Sequence, residues 1–413
     1  MMLNLLKTSI LALFAVAAGA AAFAQEVSRE DAASFEAWRT GFEFGLIERG
    51  VDPSIAGAMM DGLTIDPRIL DRDSNQPEFV RPIWVYLNGA ASDVRVANGR
   101  RAAAAHAGAL SAVGERFDVD RDILTAIWGL ESAYGEIMGD FDVIRSLATL
   151  AWDGRRRSFA QSQLFAVAEM IENGYAARDD LRGSWAGAMG QTQFIPTTYM
   201  ARAVDIDGDG RRDIWASEAD ALGSAANLLT VAGWDANAPV VAEVVLPDGF
   251  NYAAWTPRRR RAVSAWALEG VQLADGEWEA DDLYRPARLL IPAGASGPAF
   301  AAFSNFDALM EYNNSTAYAL GVAYLAKRIG GDVDLPEGWP EGDVPLTRTQ
   351  ARELQTALTE LGFDTQGIDG RIGPNSRAAL RAFQRENGMT PDGYAGRRAY
   401  DAVLAAGARE GER

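Results

Sequence analysis

Apolar residues recur at intervals of three or four along most of the chain, which is the spacing of helices that bury one face. The pattern predicts a first helix over 28–50, where Ser28 and Asp31 resemble a capping box. An acidic residue followed by proline, at Asp52-Pro53, predicts the start of a second helix.

Residues 72–82 are polar and contain two prolines, so they predict a loop. Helical spacing returns over 83–117, continues over 118–130, and fills three or four further helices to about residue 233. The same spacing appears again over 306–327. These segments predict a mainly helical core.

The chain changes in character between residues 238 and 300, where short β-type runs alternate with Gly, Pro and Asp. The runs lie at 240–246, 262–266 and 288–292. We therefore expect a small β subdomain inserted in the helical core. The predicted fold class is mainly α (α+β).

The stretch 329–345 is rich in Gly, Pro and acidic residues and predicts a linker. Residues 346–407 beyond it predict a separate helical domain, which is small but long enough to fold alone. A large domain over 25–328 precedes the linker. The apolar positions of the C-terminal domain are Leu354, Leu358, Leu361, Phe363, Leu380, Phe383 and Tyr400.

The first 24 residues have the features of a secretory signal peptide. Lys7 supplies a positive start, an apolar run extends over 10–18, and residues 22–24 form an A-x-A cleavage site. A transmembrane anchor is the alternative, but the apolar run is too short to span a bilayer. We expect an exported, soluble protein.

Composition disfavours several kinds of chemistry. The chain has no cysteine and one histidine, His106, which argues against zinc sites, cysteine nucleophiles and histidine-based triads. His106 lies in an Ala-rich helical stretch and is predicted on the surface. The net charge is −18, which argues against nucleic acid or anionic lipid as the main partner. The isolated arginine run 258–261 predicts a solvated face or a local counterweight to the acidic surface.

Glu131 is the strongest candidate for catalysis. It follows Ile127 by four residues, which places it on the apolar face of a predicted helix. A carboxyl group among apolar side chains resists ionisation, so its pKa rises and it can donate a proton near neutral pH. The ordinary alternative is a glutamate that is solvated or paired with Lys or Arg. The apolar residues of this face are Leu124, Ile127, Trp128 and Leu130.

The segment 187–199 predicts a loop that presents neutral amides. Gly187 and Gly190 allow close backbone approach, and the side-chain amides of Gln191 and Gln193 can bond sugar hydroxyl and N-acetyl groups. The alternative is an ordinary helix–loop–helix joint with polar surface residues.

Residues 205–210 match the start of an EF-hand calcium loop, with aspartates at positions 1, 3 and 5 and glycine at position 6. Position 12 is Ala216, where a bidentate glutamate belongs, so Glu218 or Asp220 would have to complete the site. The alternative is an acidic turn that binds nothing. The expected ligands of a structural Ca²⁺ are Asp205, Asp207, Asp209, the backbone carbonyl of Arg211, and Asp220. No organic cofactor is expected.

The segment 311–318 opens a helix and carries Tyr312, Asn313 and Tyr318. Asn313 or Asn314 would serve as a helix cap, and the two tyrosines would equally serve as the wall of a sugar cleft. Both interpretations are open from these residues.

Together these segments resemble the membrane-bound lytic murein transglycosylase B family, over about residues 30–330. The Glu-Ser pair followed by a Gly-Gln-x-Gln-Phe-x-Pro block is shared by lytic transglycosylases more widely. The acidic loop, residues 205–215, comes directly after this block and is particular to the B type. The matching segments are 128–135, 190–196, 205–215, 225–227 with 233–234, and 312–313.

The resemblance implies a lysozyme-like helical core and cleavage, without water, of the β-1,4 bond between N-acetylmuramic acid and N-acetylglucosamine. Glu131 would protonate the glycosidic oxygen and then, as a base, take a proton from the C6 hydroxyl that attacks C1. The product is a 1,6-anhydromuramic end. Leu228 stands where relatives can carry tyrosine, so one aromatic wall of the cleft is missing. The candidate sugar-binding residues are Ser132, Ser184, Gln191, Gln193, Tyr312, Asn313 and Tyr318.

Residues 346–407 resemble a second family, the peptidoglycan-binding domain of three helices. The turn signature is Asp369-Gly-Arg-Ile-Gly373, between matching helical segments. Both resemblances imply a periplasmic protein whose partners are the glycan strands of peptidoglycan. No nucleic acid is expected as a partner, and no membrane insertion once the signal peptide is removed.

Two other functions remain open. A hydrolytic muramidase would need a second carboxylate facing Glu131, for which Asp140, Asp142 and Asp153 are the candidates. A non-catalytic scaffold would use the C-terminal domain to bind the wall. The chemical form of the product ends distinguishes the lytic transglycosylase, which leaves anhydro ends, from the hydrolytic muramidase, which leaves reducing ends.

Overall fold

A computed structural model of the chain describes residues 28–74 and 81–411. The predicted signal peptide, residues 1–24, lies outside the described residues, as do positions 75–80 of the predicted loop. Within the described ranges no helix is long and apolar enough to cross a bilayer. The chain is mostly helical with a small sheet, which confirms the predicted fold class.

The N-terminal part is a set of helices whose predicted starts are confirmed. Ser28 Oγ accepts a hydrogen bond from Asp31 N (3.0 Å), and Asp52 Oδ1 accepts one from Ser54 N (2.8 Å). The predicted stretch 83–117 is helical but divided into three helices. The first six helices are α1 (Arg29–Glu48), α2 (Pro53–Met60), α3 (Pro67–Ser74), α4 (Ile83–Ala90), α5 (Asp93–Ala105) and α6 (Ala107–Phe117).

The loop predicted over 72–82 begins too early, because residues 72–74 belong to α3. Asp66 stabilises the first turn of this helix, where its Oδ1 accepts a hydrogen bond from Arg68 N (3.0 Å). Ile69 is fully buried on the inner face. Capping and one buried side chain therefore outweigh the polar composition of the segment.

His106 lies at the joint between α5 and α6 at the surface, with 35% of its side chain exposed. Its ring meets the ring of Trp128 edge-on, with 5.1 Å between centroids. Its Nδ1 lies 4.0 Å from Glu218 Oε2.

Four helices follow the segment that carries Glu131, in agreement with the prediction. Two short antiparallel strands, β1 (Phe141–Asp142) and β2 (Arg182–Gly183), pair between them. Glu131 lies in α7 (Arg121–Ser132), and the four helices that follow are α8 (Val143–Asp153), α9 (Arg157–Glu172), α10 (Pro196–Arg202) and α11 (Glu218–Val231).

The inserted β subdomain contains an antiparallel sheet with the strand order β4-β6-β7-β3-β5. The predicted runs at 240–246 and 288–292 correspond to β3 and β6. In the run at 262–266, only Ala262 lies in a strand, so that prediction is wrong. The strands are β3 (Val241–Val245), β4 (Arg260–Ala262), β5 (Gln272–Leu273), β6 (Pro286–Leu290) and β7 (Ala299–Ala302).

Most of the mispredicted run forms a short helix, α12 (Val263–Ala267). Val263 and Trp266 are three residues apart, and both pack into the apolar cluster of the sheet. The indole N–H of Trp266 donates to the carbonyl oxygen of Ala287 in β6 (2.9 Å). This contact holds the turn of helix against the sheet.

The arginine run 258–261 is not simply a solvated face. Arg260 forms an ion pair with Asp307, and Arg261 Nη1 lies 2.5 Å from Glu269 Oε1. Part of the run therefore joins the sheet to neighbouring helices.

Two helices after the sheet complete the core, α13 (Ser304–Tyr312) and α14 (Thr316–Gly330). Helix α14 packs against α4, α5 and α7. The buried apolar residues form two large clusters, one around α7, α11 and α14 and one around α1, α8 and α9. Tyr312 packs against both clusters, so the region around it lies where they meet.

The C-terminal part has three helices around a core of its own, α15 (Arg348–Glu360), α16 (Pro374–Glu386) and α17 (Arg397–Gly411). All seven apolar positions predicted for it lie in or against this core. The preceding segment, 331–347, is irregular but contacts both sides. Trp339 packs against Trp84 and Phe300 (ring centroids 5.9 and 6.2 Å), and Asp343 Oδ1 accepts a hydrogen bond from Arg398 N (2.8 Å).

Candidate active site

Glu131 lies in the last turn of α7, a helix whose start and end are both determined by local sequence. Asp120 caps the start, because its side chain accepts hydrogen bonds from the amides of residues 122 and 123. The helix stops because Ala133 and Tyr134 adopt positive φ angles of 52° and 65°. Glu131 is buried, with 5% of its surface exposed.

Burial raises the pKa of the Glu131 carboxyl to about 7 from the ordinary value of 4.5. The phenol of Tyr318 acts in the opposite direction, because its O–H donates to Glu131 Oε1 (2.7 Å) and stabilises the charged form. Neither of these two causes is another carboxylate. The group is therefore protonated in about half of the molecules near neutral pH, which suits it to both donate and accept a proton.

Two stacked tyrosines adjoin Glu131. Tyr318 comes from α14 and Tyr312 from the end of α13, with ring centroids 6.2 Å apart and an angle of 15° between the planes. The O–H of Tyr312 donates to the carbonyl oxygen of Thr192 (2.7 Å), so the pair contacts the glutamine loop, residues 187–199. Both predicted residues thus lie beside the candidate catalytic group.

Tyr86 of α4 also lies near Glu131, and sequence reasoning missed it. The negative charge of Glu131 raises the pKa of the Tyr86 phenol, in addition to the larger effect of burial. Tyr86 belongs to an apolar helix far from the motifs in sequence, and its residue type gave no separate signal.

Gln193 presents an unpaired oxygen. Its backbone has a φ of 51°, and its Nε2 donates to the carbonyl oxygens of Met138 (3.0 Å) and Gly190 (2.9 Å). These bonds orient the amide, while Oε1 has no hydrogen-bond partner among the described residues. Asn313 Oδ1 is buried in the same unpaired condition. Both oxygens are therefore candidate acceptors for donors of a ligand.

Ser184 is partly exposed in the hairpin before the glutamine loop. Its Oγ accepts a hydrogen bond from Ala188 N (3.0 Å). A hydroxyl that accepts one bond keeps its own proton for donation, so Ser184 remains suited to a polar ligand.

Ser132 and Gln191, two of the predicted sugar-binding residues, form hydrogen bonds within the fold. Ser132 is fully buried, and its Oγ donates to Gln191 O (2.6 Å) and accepts from Gly135 N (2.9 Å). Gln191 is 3% exposed, and its side-chain amide bonds Trp128 Nε1 and Trp215 O. Both side chains face the interior, so their hydrogen-bonding capacity is used within the fold.

Four carboxylates converge in the acidic loop. One oxygen from each of four aspartates lies within 4.8 Å of the others: Asp205, Asp207, Asp209 and Asp220. Asp220 is fully buried, and its pKa is raised by burial and by the charges of Asp207 and Asp205. A divalent cation would relieve this repulsion, so the donor set fits calcium.

The other two residues considered for this site differ in placement. Glu218 lies toward His106, with 4.0 Å between Oε2 and Nδ1, and is not part of the carboxylate cluster. The amide of Arg211 donates to Asp209 Oδ1 (2.8 Å), which keeps this residue in the loop beside the cluster. Of the two residues considered in place of Ala216, Asp220 is the one that lies in the carboxylate cluster.

The carboxylates considered as partners for Glu131 are engaged elsewhere. Asp142 caps α8 and forms an ion pair with Arg178 (2.9 Å), and Asp153 pairs with Arg155 (2.7 Å). Asp140 is exposed on the loop before β1. None of the three contributes to the pKa of Glu131.

Two family models match the chain. The transglycosylase SLT domain matches residues 34–327, and a peptidoglycan binding domain matches residues 347–403. The membrane-bound lytic murein transglycosylase B of Escherichia coli (strain K12) is 30% identical over 229 residues, which are 54% of this chain and 60% of that protein. The match therefore spans less than two thirds of the length of this relative.

Solved structures share the fold. SltB3 from Pseudomonas aeruginosa, in complex with NAG-anhNAM-pentapeptide, is similar with a TM-score of 0.86 and 46% identity, over 90% of this chain and 99% of that chain. Slt35 of Escherichia coli, in complex with calcium, has a TM-score of 0.62 and 25% identity over 71% of this chain and 92% of that chain. The resemblance inferred from the motifs is thereby confirmed. The chain belongs to the transglycosylase SLT domain family.

Proposed function

We propose that the protein is a lytic transglycosylase of peptidoglycan. It would cleave the β-1,4 bond between N-acetylmuramic acid and N-acetylglucosamine and leave 1,6-anhydromuramic ends. The observation that carries the proposal is the buried Glu131, with its pKa near 7 and its hydrogen bond to Tyr318. A complex of the similar SltB3 with a NAG-anhNAM-pentapeptide supports the product class.

In the proposed mechanism, protonated Glu131 donates its proton to the glycosidic oxygen as the bond to C1 of the muramic residue breaks. The N-acetyl group of the substrate stabilises the positive charge that develops at C1. The ionised Glu131 then takes the proton of the C6 hydroxyl as this oxygen bonds to C1. The proton returns to the enzyme, and no water is consumed.

The polar groups around Glu131 would position the sugars. The unpaired oxygens Gln193 Oε1 and Asn313 Oδ1 suit sugar hydroxyls and amide N–H groups, and the hydroxyl of Ser184 suits a carbonyl oxygen. The Tyr312 and Tyr318 pair supplies an aromatic wall with both phenols already oriented.

Product analysis tests the proposal most directly. We expect the wild type to release anhydro-ended fragments from purified peptidoglycan, as seen by mass spectrometry. Glu131→Gln should reduce this release by roughly 100-fold or more, because the general acid is lost. Glu169→Gln, a change of the same kind on the exposed face of α9, is the matched control and should retain full activity.

Two outcomes would favour the alternatives. Reducing ends instead of anhydro ends would indicate a hydrolytic muramidase. No wall-lytic activity from the wild type would indicate a wall-binding scaffold, whereas unchanged activity in Glu131→Gln would show only that Glu131 is not the catalyst.

We further propose that the acidic loop holds a structural Ca²⁺ through Asp205, Asp207, Asp209 and Asp220, with the backbone carbonyl of Arg211 as a fifth ligand. The convergence of four carboxylates supports this proposal, as does the calcium complex of the similar Slt35. When bound, the ion would neutralise the loop without taking part in the chemistry. Thermal unfolding with and without calcium tests it.

The domain boundaries and the location of the protein are also proposals. We propose a catalytic domain over 25–328, a linker over 329–345 and a wall-binding domain over 346–407, exported to the periplasm after cleavage following residue 24. The two family matches, 34–327 and 347–403, support this division. The N-terminal sequence of the protein recovered from the periplasmic fraction tests export, since an intact residue 1 would contradict it.

A further inference from the structure

Gln191 joins the catalytic helix to the end of the acidic loop, and it uses both its side chain and its backbone to do so. Its Oε1 accepts from Trp128 Nε1 (2.9 Å), and its Nε2 donates to Trp215 O (3.1 Å). Its backbone N donates to Ile214 O (2.9 Å), and its carbonyl accepts from Ser132 Oγ (2.6 Å). Each segment is therefore held by two bonds to the same residue.

One side of this junction is the last turn of α7. Trp128 lies almost one turn before Glu131, and Ser132 directly follows it. The carbonyls of a last turn lack helical partners from further along the helix, and the positive φ of Ala133 ends the helix here. Gly129 O accepts a hydrogen bond from Arg95 Nη1 instead (2.5 Å). Contacts from outside the helix, that of Gln191 among them, therefore help to hold the turn that carries Glu131.

The other side of the junction is the end of the acidic loop, where hydrogen bonds hold the backbone of residues 213–216. Asp213 N donates to Asp220 Oδ2 (2.8 Å), and Asp213 Oδ1 accepts from the amides of Trp215 (2.9 Å) and Ala216 (2.8 Å). These bonds fix the backbone whose carbonyls Gln191 contacts. The loop exit thus supplies a rigid support for the helix end.

The space around the junction is full. A Cβ added at Gly135 would lie 2.8 Å from Gln191 Oε1, and one added at Gly190 would lie 2.7 Å from the carbonyl oxygen of Ile214. Gln191 and Trp128 are 3% and 1% exposed. The amide of Gln191 is therefore held in one orientation inside the fold.

We propose that Gln191 is a positioning residue for Glu131: it holds the last turn of α7 against the acidic-loop exit and does not touch substrate. The inference rests on the proposed catalytic role of Glu131. Without this contact the last turn gains freedom, so the carboxyl is misaligned and water reaches it. Because burial is what raises the pKa of Glu131, hydration would move that pKa back toward its ordinary value.

Gln191→Leu tests the proposal, since it keeps the volume and removes the side-chain hydrogen bonds. We expect kcat for fragment release to fall roughly 10- to 100-fold, as for a displacement of about 1 Å. KM should change much less, because the sugar-facing side chains remain. The alkaline limb of the kcat–pH profile should move to lower pH, which a loss of folded protein would not produce.

Gln163→Leu is the matched control. Gln163 is also buried (3% exposed), and its Oε1 accepts hydrogen bonds from Thr197 N and Oγ1 (both 3.0 Å), so it joins α9 to α10 away from Glu131. This variant should melt at a lower temperature but keep the wild-type kcat per folded molecule and the wild-type alkaline limb.

Trp128→Phe removes the indole N–H that Gln191 accepts. Its effect on kcat should overlap with that of Gln191→Leu, so the double variant loses less than the product of the two single losses. Three results would overturn the role of Gln191. The first is a wild-type kcat and a wild-type alkaline limb in Gln191→Leu, and the second is the same shift of the alkaline limb in Gln163→Leu. The third is a loss of kcat in the double variant that equals the product of the two single losses. Reducing ends from the wild type would instead overturn the anhydro product and leave this comparison of kcat and pH limb intact.

Discussion

The carboxyl of Glu131 lowers the stability of the folded chain whenever it is ionised. Its pKa is about 7 in the fold against 4.5 in an unfolded chain, because burial penalises the charge. Below pH 4.5 it is protonated in both states and nothing is lost. Between the two values it ionises in the unfolded chain first, so the free energy of unfolding falls as pH rises. At about 1.36 kcal/mol per pKa unit, the loss above pH 7 is about 3 kcal/mol.

Glu131→Gln should remove this pH dependence. We expect the variant to gain stability relative to the wild type between pH 4.5 and 7, by up to about 3 kcal/mol, and to hold that gain above pH 7. Denaturant unfolding of both proteins across this range measures it. The exposed Glu169→Gln should run parallel to the wild type, and a parallel course for Glu131→Gln would show that the carboxyl is not buried as described.

At the scale of elements, the acidic loop and α11 bring four carboxylates together. Repulsion among them raises the pKa of Asp220. A bound divalent ion would therefore stabilise the folded state by mass action, with RT ln(1 + [Ca²⁺]/Kd) as the gain.

Removing calcium should lower the melting temperature. A concentration 100 times Kd corresponds to about 2.7 kcal/mol, which chelation would withdraw. Asp209→Asn, at an exposed position of the loop, should weaken the calcium response, whereas Asp179→Asn on an exposed turn outside it should not. An identical melting temperature with chelator and with added calcium would identify the loop as a bare acidic turn.

Elements also show where sequence reasoning succeeds. Helices were predicted because their apolar spacing persists over several turns, and Glu131 because it interrupts such a face. The strand predicted over 262–266 failed because Val and Trp favour strands locally, while packing placed Val263 and Trp266 on one side of a helical turn. Residue type does not encode the direction of an amide: Gln191 faces inward, while Gln193, two positions later, keeps a free oxygen. Tyr86 was missed because only the fold brings it near Glu131.

At the scale of the whole molecule, the segment between the two predicted domains is held in place. The Trp339 ring packs against Trp84 and Phe300, and its indole N–H donates to Pro336 O (2.7 Å). Farther on, Asp392 Oδ2 in the C-terminal domain accepts a hydrogen bond from Ala295 N beside the sheet (2.8 Å). The Gly-rich, Pro-rich and acidic composition that predicts a linker does not reveal these contacts, because they depend on the packing of a single tryptophan.

Trp339→Ala should loosen this segment. We expect a protease specific for acidic residues to cut within 331–345 several-fold faster than in the wild type, as followed by electrophoresis of the fragments over time. Glu337→Ala, on the exposed side of the same segment, is the control and should leave the rate of cleavage at the neighbouring sites unchanged. Equal rates in Trp339→Ala and the wild type would mean that the indole does not hold the segment.

The docked segment around Trp339 has a consequence for binding strength. When two binding sites are joined by a flexible tether, the effective concentration of the second site falls as the tether lengthens. Here the contacts of Trp339 and Asp343 shorten the undocked part of the segment between the two domains. The effective concentration of the second site therefore depends on the positions in which these contacts hold the domains. A glycan strand long enough to reach both domains would bind with a combined affinity, and a shorter fragment would not. Release of the shortened product would then follow from the cut itself.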